Sequence, residues 1–592
     1  MRAHRLIVLL LVAGCSTGAG TRTAVAPPPI PAVTVSASTA PANVDSTLTS
    51  LTVRQRVGQL IVPWLSGTYT AADDSLFLEA ARWVDSLQVG GIIISVGGPY
   101  DIATKLNALQ LRSKLPLLVS ADLEWGAAMR VVGATGFPPI MAAGATGDST
   151  DAYTIGAAGA TEGRAVGIHV NFAPDADVNN NPLNPIINTR SFGEDPRAVS
   201  TLVRAYVRGV HDGGMLATLK HFPGHGDTET DSHIGLPVIT AGYGRLDTLE
   251  LVPFRAGIGA GADIVMSAHI AFPALTGSSS EPGTLSAAVL TGLLRDSLHF
   301  TGLVVTDALA MGAIVAKYGA GEATVRAFLA GSDVLLMPAS PDSALDAMTA
   351  AVESGRIAHS RLDTSVRRVL QIKQHLGLFQ RRTVPLEAIM QSVGTRRWQT
   401  AAEDIAVRAL TLVRDSTGML RTLRGQRTRL AVVTYADEGT LSVALRFSDL
   451  LRLNGDTVDY FRLWPMSGPA SYDSARVVLA RNPVALFAAN VKPISSRGSI
   501  ALPDSLAALI DATDARKPTL LLSFGSPYLL DQTPSVKTYL IAWSGVRAAE
   551  RAAARAVLGL SPIGGHLPIR LPPAYPVGWG VTMPDSVVAV KP

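Results

Sequence analysis

At 592 residues the chain exceeds one ordinary domain, so two or more are expected. With 47% apolar and 17% charged residues it can fill sizeable cores, which excludes a largely disordered chain. Lys and Arg number 51 against 47 Asp and Glu, a surplus too small to make nucleic acid or a polybasic membrane surface the partner.

Arg2, His4 and Arg5 precede a short apolar run, Leu6 to Ala13, and then Gly14 and Cys15. A charged start, a short apolar stretch and small residues before a cleavage point describe an export signal over residues 1–14. The run is too short to span a bilayer, which needs about 20 residues. Val12-Ala13-Gly14-Cys15 resembles the lipobox of bacterial lipoproteins, in which the cysteine is acylated and becomes the mature N-terminus. Cys15 is the single cysteine of the chain, so it has no internal disulfide partner in an oxidising compartment. The expectation is an exported lipoprotein, its lipid anchor in a membrane, on the periplasmic or extracellular face. Residues 15–46 are rich in Ala, Thr, Ser and Pro without apolar periodicity, and read as the lipidated Cys and a flexible tether.

Over residues 47–385 short apolar runs alternate with segments of helical spacing. The runs are Leu60–Val62, Gly91–Ser95, Leu117–Ala121, Ile168–Ala173, Met215–Leu219, Asp263–Ala268, Gly302–Thr306 and Asp333–Met337. Helical spacing appears at Ala103–Leu111, Ala198–Val210 and Glu322–Leu329. Eight such βα units predict an α/β fold of the TIM-type (β/α)8 barrel class, with an open doubly wound sheet as the alternative. A break near Gly377, Arg381-Arg382 and Pro385 begins a second, smaller α/β domain, residues 386–592. Its helical stretches are Ala401–Ala409 and Ala548–Val557, and its strand candidates are Leu430–Tyr435, Val484–Ala489, Thr519–Phe524 and Tyr539–Trp543.

In a βα-barrel the chemistry sits at the C-terminal ends of the strands. Ionisable residues stand there five times over: Asp122, then Asp175 and Asp177, then Lys220 and His221, then His269, then Asp307. Each lies directly beside an apolar run, which a set of surface charges would not require. The richest loop runs from Lys220 to His233, with His221, His225 and His233 among Asp227, Glu229 and Asp231. A solvated polar loop and a metal site both remain readings of this segment. For a metal-dependent TIM-barrel amidohydrolase, the first strand should end in ligands. It ends instead in Val62-Pro63-Trp64. The third reading takes Asp231-Ser232-His233 as a dyad, in which the carboxylate orients an imidazole for proton transfer. With a carboxylate nucleophile from another strand end, such a dyad supplies both groups that glycosidic cleavage needs.

Lys220-His221-Phe222-Pro223-Gly224-His225-Gly226, followed by Asp231-Ser232-His233, resembles the hallmark segment of glycoside hydrolase family 3, in its bacterial β-N-acetylglucosaminidase branch. Phe172-Ala173-Pro174 through Asp177-Val178-Asn179, Arg190-Ser191-Phe192-Gly193-Glu194-Asp195-Pro196 and Val305-Thr306-Asp307-Ala308-Leu309-Ala310-Met311 are similar to that branch in the same order. The resemblance covers the barrel. It implies an exo-acting, retaining enzyme that releases terminal β-linked N-acetylglucosamine from peptidoglycan-derived glycans such as muropeptides. Asp307 would be the nucleophile and His233 the acid/base, oriented by Asp231. Asp122, Arg130, Arg190, Lys220 and His221 would bind the sugar. No cofactor and no metal are implied.

Two departures stand out. The family has a Gln and paired glycines after its first Asp, whereas this chain reads Asp122-Leu123-Glu124-Trp125-Gly126, and an acid common after the nucleophile is Ala308. The second domain resembles the α/β sandwich that follows the barrel in many family members, with a structural role or one in positioning long substrates. β-Glucosidase or β-xylosidase activity, transfer to phosphate, and an inert sugar-binding lipoprotein are the remaining alternatives.

Overall fold

The computed structural model describes residues 43–494 and 500–585. The export signal, Cys15 and nearly all of the expected tether lie outside the described residues. Where the tether was expected to reach residue 46, a helix already begins, Val44–Ser50. Asn43 caps it by accepting the Asp45 and Ser46 N–H groups, and Leu48 buries its side chain in the barrel core. Composition hid this short helix because only Leu48 is fully buried, with Val44 partly so.

The first domain is a closed parallel barrel. Its strands are β1 (Ile61–Val62), β2 (Trp64–Leu65), β3 (Gly91–Ile94), β4 (Leu118–Ala121), β5 (Val170–Asn171), β6 (Leu216–Phe222), β7 (Ile264–Ser267), β8 (Leu303–Thr306) and β9 (Leu335–Leu336). β1 and β2 are two parts of one staff, divided at Pro63, so eight staves make the ring. β2 to β8 pair in sequence order, each parallel to the next. Val334 then bridges to Val305, and β9 pairs with β1, which shuts the ring. Each expected run supplies one staff. The strands are short because only their middles hydrogen-bond, and nearly every strand residue is buried between the barrel interior and the helical shell.

Proline and capping residues set the helix starts. Pro99 and Pro196 occupy the first turns of Pro99–Arg112 and Pro196–Asp212, where a missing N–H costs nothing. Asp195 caps the second of these by accepting from the Arg197 and Ala198 N–H groups.

The second domain holds a six-stranded sheet in the order β10-β15-β14-β13-β11-β12. These are β10 (Thr411–Asp415), β11 (Arg429–Tyr435), β12 (Thr457–Leu463), β13 (Val484–Ala489), β14 (Thr519–Ser523) and β15 (Thr538–Ile541). All neighbours are parallel except β10, which runs antiparallel to β15. The sequence gives no strand candidate for β10 or β12. Both are edge strands and carry charges (Arg414 and Asp415, Asp459 and Arg462) that break the apolar run. The two domains are joined by Asn179 Nδ2 donating to Tyr528 Oη at 2.9 Å and by the Arg570–Glu194 ion pair at 2.8 Å.

Candidate active site

A cavity of about 680 Å³ opens at the C-terminal mouth of the barrel. Asp122, Arg130, Arg190, Lys220, His221, His233 and Asp307 all line it. Asp231, the remaining expected site residue, sits behind His233 with its side chain fully buried.

Asp307 directly follows β8, and its Oδ1 accepts the Ala308 N–H at 2.7 Å. Burial pushes its pKa up, but the imidazoles of His269, His221 and His233 and the Ala308 N–H outweigh burial and hold it at about 2. The carboxylate is therefore charged at any physiological pH. His269, at the end of β7, donates from Nε2 to the Ala308 carbonyl at 3.0 Å, and burial keeps its pKa below the usual histidine value. It thus fixes the backbone that carries Asp307.

The loop after β6 brings the second group. His233 Nδ1 lies 2.8 Å from Asp231 Oδ1, and its side chain is 33% exposed, within reach of a substrate. His225 braces this loop, with Nε2 3.1 Å from Ser232 Oγ and Nδ1 2.9 Å from Thr228 Oγ1. Burial, together with the neighbouring His221, lowers the His225 pKa to about 4, so that imidazole is neutral and serves as structure. Gly226 is required here: a Cβ would stand 1.6 Å from the Val178 carbonyl oxygen. Gly224 has φ +140°, in the region where side chains are rarely tolerated.

The opposite wall is a buried ion cluster. Lys220 Nζ donates to Glu124 Oε1 at 2.6 Å and to Asp122 Oδ1 at 3.1 Å. Arg190 grips Glu124 through two bonds of 3.0 and 2.8 Å, and Arg130 reaches Asp122 Oδ2 at 3.0 Å. Burial opposes charge on both carboxylates. The surrounding cations reverse that, chiefly Arg190 and Lys220 at Glu124 and Lys220 and Arg130 at Asp122, leaving both below their ordinary values. Asp177 binds His221 Nδ1 at 2.8 Å and accepts the His225 N–H at 2.7 Å. Burial works against charge on His221, but Asp177 and Asp175 raise its pKa.

Glu124 was read from sequence only as a departure, yet it is the shared anchor of Lys220 and Arg190. Its signal was available in principle, as a carboxylate two residues beyond a strand-end Asp. Asp175, Asp177 and His221 are the one group among the described residues whose ligand atoms approach within 4.8 Å of one another as a metal site would require. Asp177 and His221 are already committed to each other, and the Asp175 oxygens, which accept no hydrogen bond, face cations, the Arg190 guanidinium at 3.2 Å and the Lys220 ammonium at 4.0 Å. A divalent ion there would sit against two fixed cations, so the donor set does not fit one.

The arrangement thus holds an ionised carboxylate, an oriented imidazole and a polar wall around one pocket. The model of the glycosyl hydrolase family 3 N-terminal domain matches residues 52–372. The chain belongs to glycoside hydrolase family 3. It is a glycoside hydrolase, and its relatives bear this out over nearly the full length. A β-N-acetylglucosaminidase/β-glucosidase from Cellulomonas fimi is 30% identical over 546 residues, covering 89% of this chain and 95% of that protein. The solved structure of a family 3 β-N-acetylglucosaminidase from a Paenibacillus species is 34% identical and superposes with a TM-score of 0.80. It covers 88% of this chain and 99% of that one. A solved β-glucoside phosphorylase, BglX, is 30% identical with a TM-score of 0.80, covering 89% and 95% of the two chains.

Proposed function

We propose that this family 3 enzyme is an exo-acting, retaining β-N-acetylglucosaminidase. The observation that carries the reading is the pairing of ionised Asp307 with the Asp231–His233 dyad in one cavity. Asp307 attacks the anomeric carbon of a terminal β-linked sugar while His233 gives its proton to the departing oxygen. The covalent glycosyl intermediate is then hydrolysed as His233 takes a proton from water, and two inversions retain the configuration. Asp231 keeps Nδ1 of the ring occupied, so that Nε2 exchanges the proton. Asp122, Arg130, Arg190, Lys220 and His221 form the polar wall that holds the hydroxyls and the N-acetyl group.

The N-acetyl preference rests on the Asp-Ser-His dyad and on similarity to the Paenibacillus β-N-acetylglucosaminidase, the Cellulomonas fimi relative being named for both N-acetylglucosaminidase and glucosidase activity. We assign peptidoglycan-derived fragments as the glycans and an exported lipoprotein anchored at Cys15 as the form, because the N-terminal lipobox would hold the enzyme where such fragments arise. Loss of palmitate labelling and of membrane association in Cys15→Ala is the expected result for the anchor.

The test of the activity compares aryl β-N-acetylglucosaminide with aryl β-glucoside in the wild type, Asp307→Ala and His233→Ala. Preference for the N-acetyl substrate with both variants crippled supports the reading. Activity on glucoside alone overturns the sugar, and activity without Asp307 overturns the site.

A second reading is favoured by one feature. A histidine acid/base carries no negative charge to repel an anionic acceptor, and Arg190 and Lys220 stand in the same cavity. Transfer to inorganic phosphate is then open, as the similarity to a β-glucoside phosphorylase also suggests. Sugar phosphate among the products in phosphate buffer supports it, and free sugar alone excludes it.

A further inference from the structure

One carboxylate behind the polar wall has no task in the proposed cleavage. Asp175 follows β5, is fully buried, and neither of its oxygens makes a hydrogen bond. Its nearest donors are Arg190 Nη2 at 3.2 Å, His221 Nδ1 at 3.8 Å and Lys220 Nζ at 4.0 Å. All three are bonded elsewhere: Arg190 to Glu124 and the Ile186 carbonyl, His221 to Asp177, and Lys220 to Glu124 and Asp122. A buried carboxylate held this way is costly unless positive charge nearby compensates it.

The charges around it call for one more proton. Among the described residues of this wall, Lys220, Arg190 and Arg130 stand against Asp122, Glu124, Asp175 and Asp177. Asp307, from the end of β8, lines the same cavity and adds a negative charge, whereas burial holds His225 and His269 neutral. Burial and then Glu124 push the Asp175 pKa up to about 7, and at His221 the carboxylates Asp177 and Asp175 overcome burial and raise it. The two groups thus compete for one proton near neutral pH.

Hydrogen bonding decides between them. On Asp175 the proton would be a buried O–H without an acceptor, because neither oxygen has a partner. On His221 the resulting charge faces Asp177 at 2.8 Å and Asp175 at 3.8 Å. Nδ1 already gives its hydrogen to Asp177, so the added proton goes to Nε2, which has no partner among the described residues. His221 lines the cavity, so Nε2 is the nitrogen that a bound sugar meets.

We propose that Asp175 is a positioning residue acting through His221: its charge keeps that imidazole doubly protonated, so that Nε2 donates to an oxygen of the bound sugar. Without that charge Nε2 loses its hydrogen near neutral pH and turns from donor to acceptor. The inference rests on the β-N-acetylglucosaminidase reading above, since it needs the sugar to sit in this cavity.

The test follows binding and cleavage against pH in the full chain. Dinitrophenyl β-N-acetylglucosaminide is the substrate, because its leaving group needs no proton from His233, and N-acetylglucosamine is the competitive inhibitor. In the wild type Ki should rise at alkaline pH as Nε2 deprotonates. Asp175→Asn should raise Ki and KM by up to about tenfold at pH 8 and by little near pH 5, with the alkaline limb of kcat/KM moved down by about one pH unit. Its kcat should stay within about threefold of the wild type. Asp175→Glu, which keeps the charge, should restore the wild-type limb. Weakening by the same factor at every pH would mark a packing defect only and overturns the proposal. So does a wild-type Ki that stays flat from pH 6 to about 9, a measurement that needs no variant. Failure of the wild type to cleave the N-acetyl substrate overturns the glycosidase reading and the proposal with it.

Discussion

Asp231 Oδ1 receives His233 twice, from ring Nδ1 at 2.8 Å and from the backbone N–H at 2.8 Å. One buried carboxylate oxygen thus fixes both the tautomer of the imidazole and the course of the chain that carries it. Replacing Asp231 with Asn keeps one acceptor but loses the charge that stabilises the imidazolium. General acid–base contributions of about 10²–10⁴ set the expected loss for His233→Ala on a disaccharide with a poor leaving group. Asp231→Asn should fall short of that loss. Azide should rescue His233→Ala on an activated aryl substrate and yield a β-glycosyl azide. A product of inverted configuration would remove Asp307 as nucleophile.

The cluster of Glu124, Lys220 and Arg190 predicts a large effect on stability. Removing one partner of a buried ion group leaves the others uncompensated, which costs about 3–5 kcal/mol. Glu124→Ala should therefore lower unfolding free energy by about that amount, measured by urea denaturation. Because the folded-state pKa of Glu124 is depressed, its contribution is present above its ordinary value and declines as pH falls below it. A variant as stable as the wild type at pH 7 would mean that the cluster is not formed as described.

Much of this was legible from residues alone. The eight apolar runs each gave a barrel staff, and of the ionisable residues at their ends Asp122, Lys220, His221 and Asp307 line the pocket, while Asp175, Asp177 and His269 are buried behind it. What was not legible depends on long-range contact. Nothing near Lys492 or Pro493 in sequence says that β13 ends beside Trp125, more than three hundred residues earlier in the chain. Glu124 looked like a local departure because its partners come from elsewhere in the chain, Lys220 from β6 and Arg190 from the segment after β5. The edge strands β10 and β12 were hidden by the charges that protect their open sides.

The charge state of Asp307 gives a pH prediction for the first chemical step. With its pKa at about 2, against an ordinary 3.8, the nucleophile remains ionised through mildly acidic conditions. An activated aryl substrate that needs no protonation should form the glycosyl-enzyme at a rate that is flat from pH 7 to about pH 4. Rapid-quench measurement of the burst checks this. A rate that has fallen by roughly half near pH 4 would mean that the surrounding imidazoles do not act on Asp307.

Far from the pocket, His211 Nε2 lies 2.7 Å from Asp263 Oδ2, which also accepts the Ala217 N–H at 2.9 Å. The hydrogen bond to Asp263 outweighs partial burial and raises the His211 pKa above its ordinary 6.5. A raised folded-state value means that the pair's stabilisation is fully present below pH 6.5 and is lost as pH rises through the folded pKa. His211→Gln should therefore reduce Tm most at pH 6 and progressively less at higher pH, as followed by thermal melts across that range. A Tm difference that grew with pH would reverse the sign and show that the folded protein prefers the neutral ring.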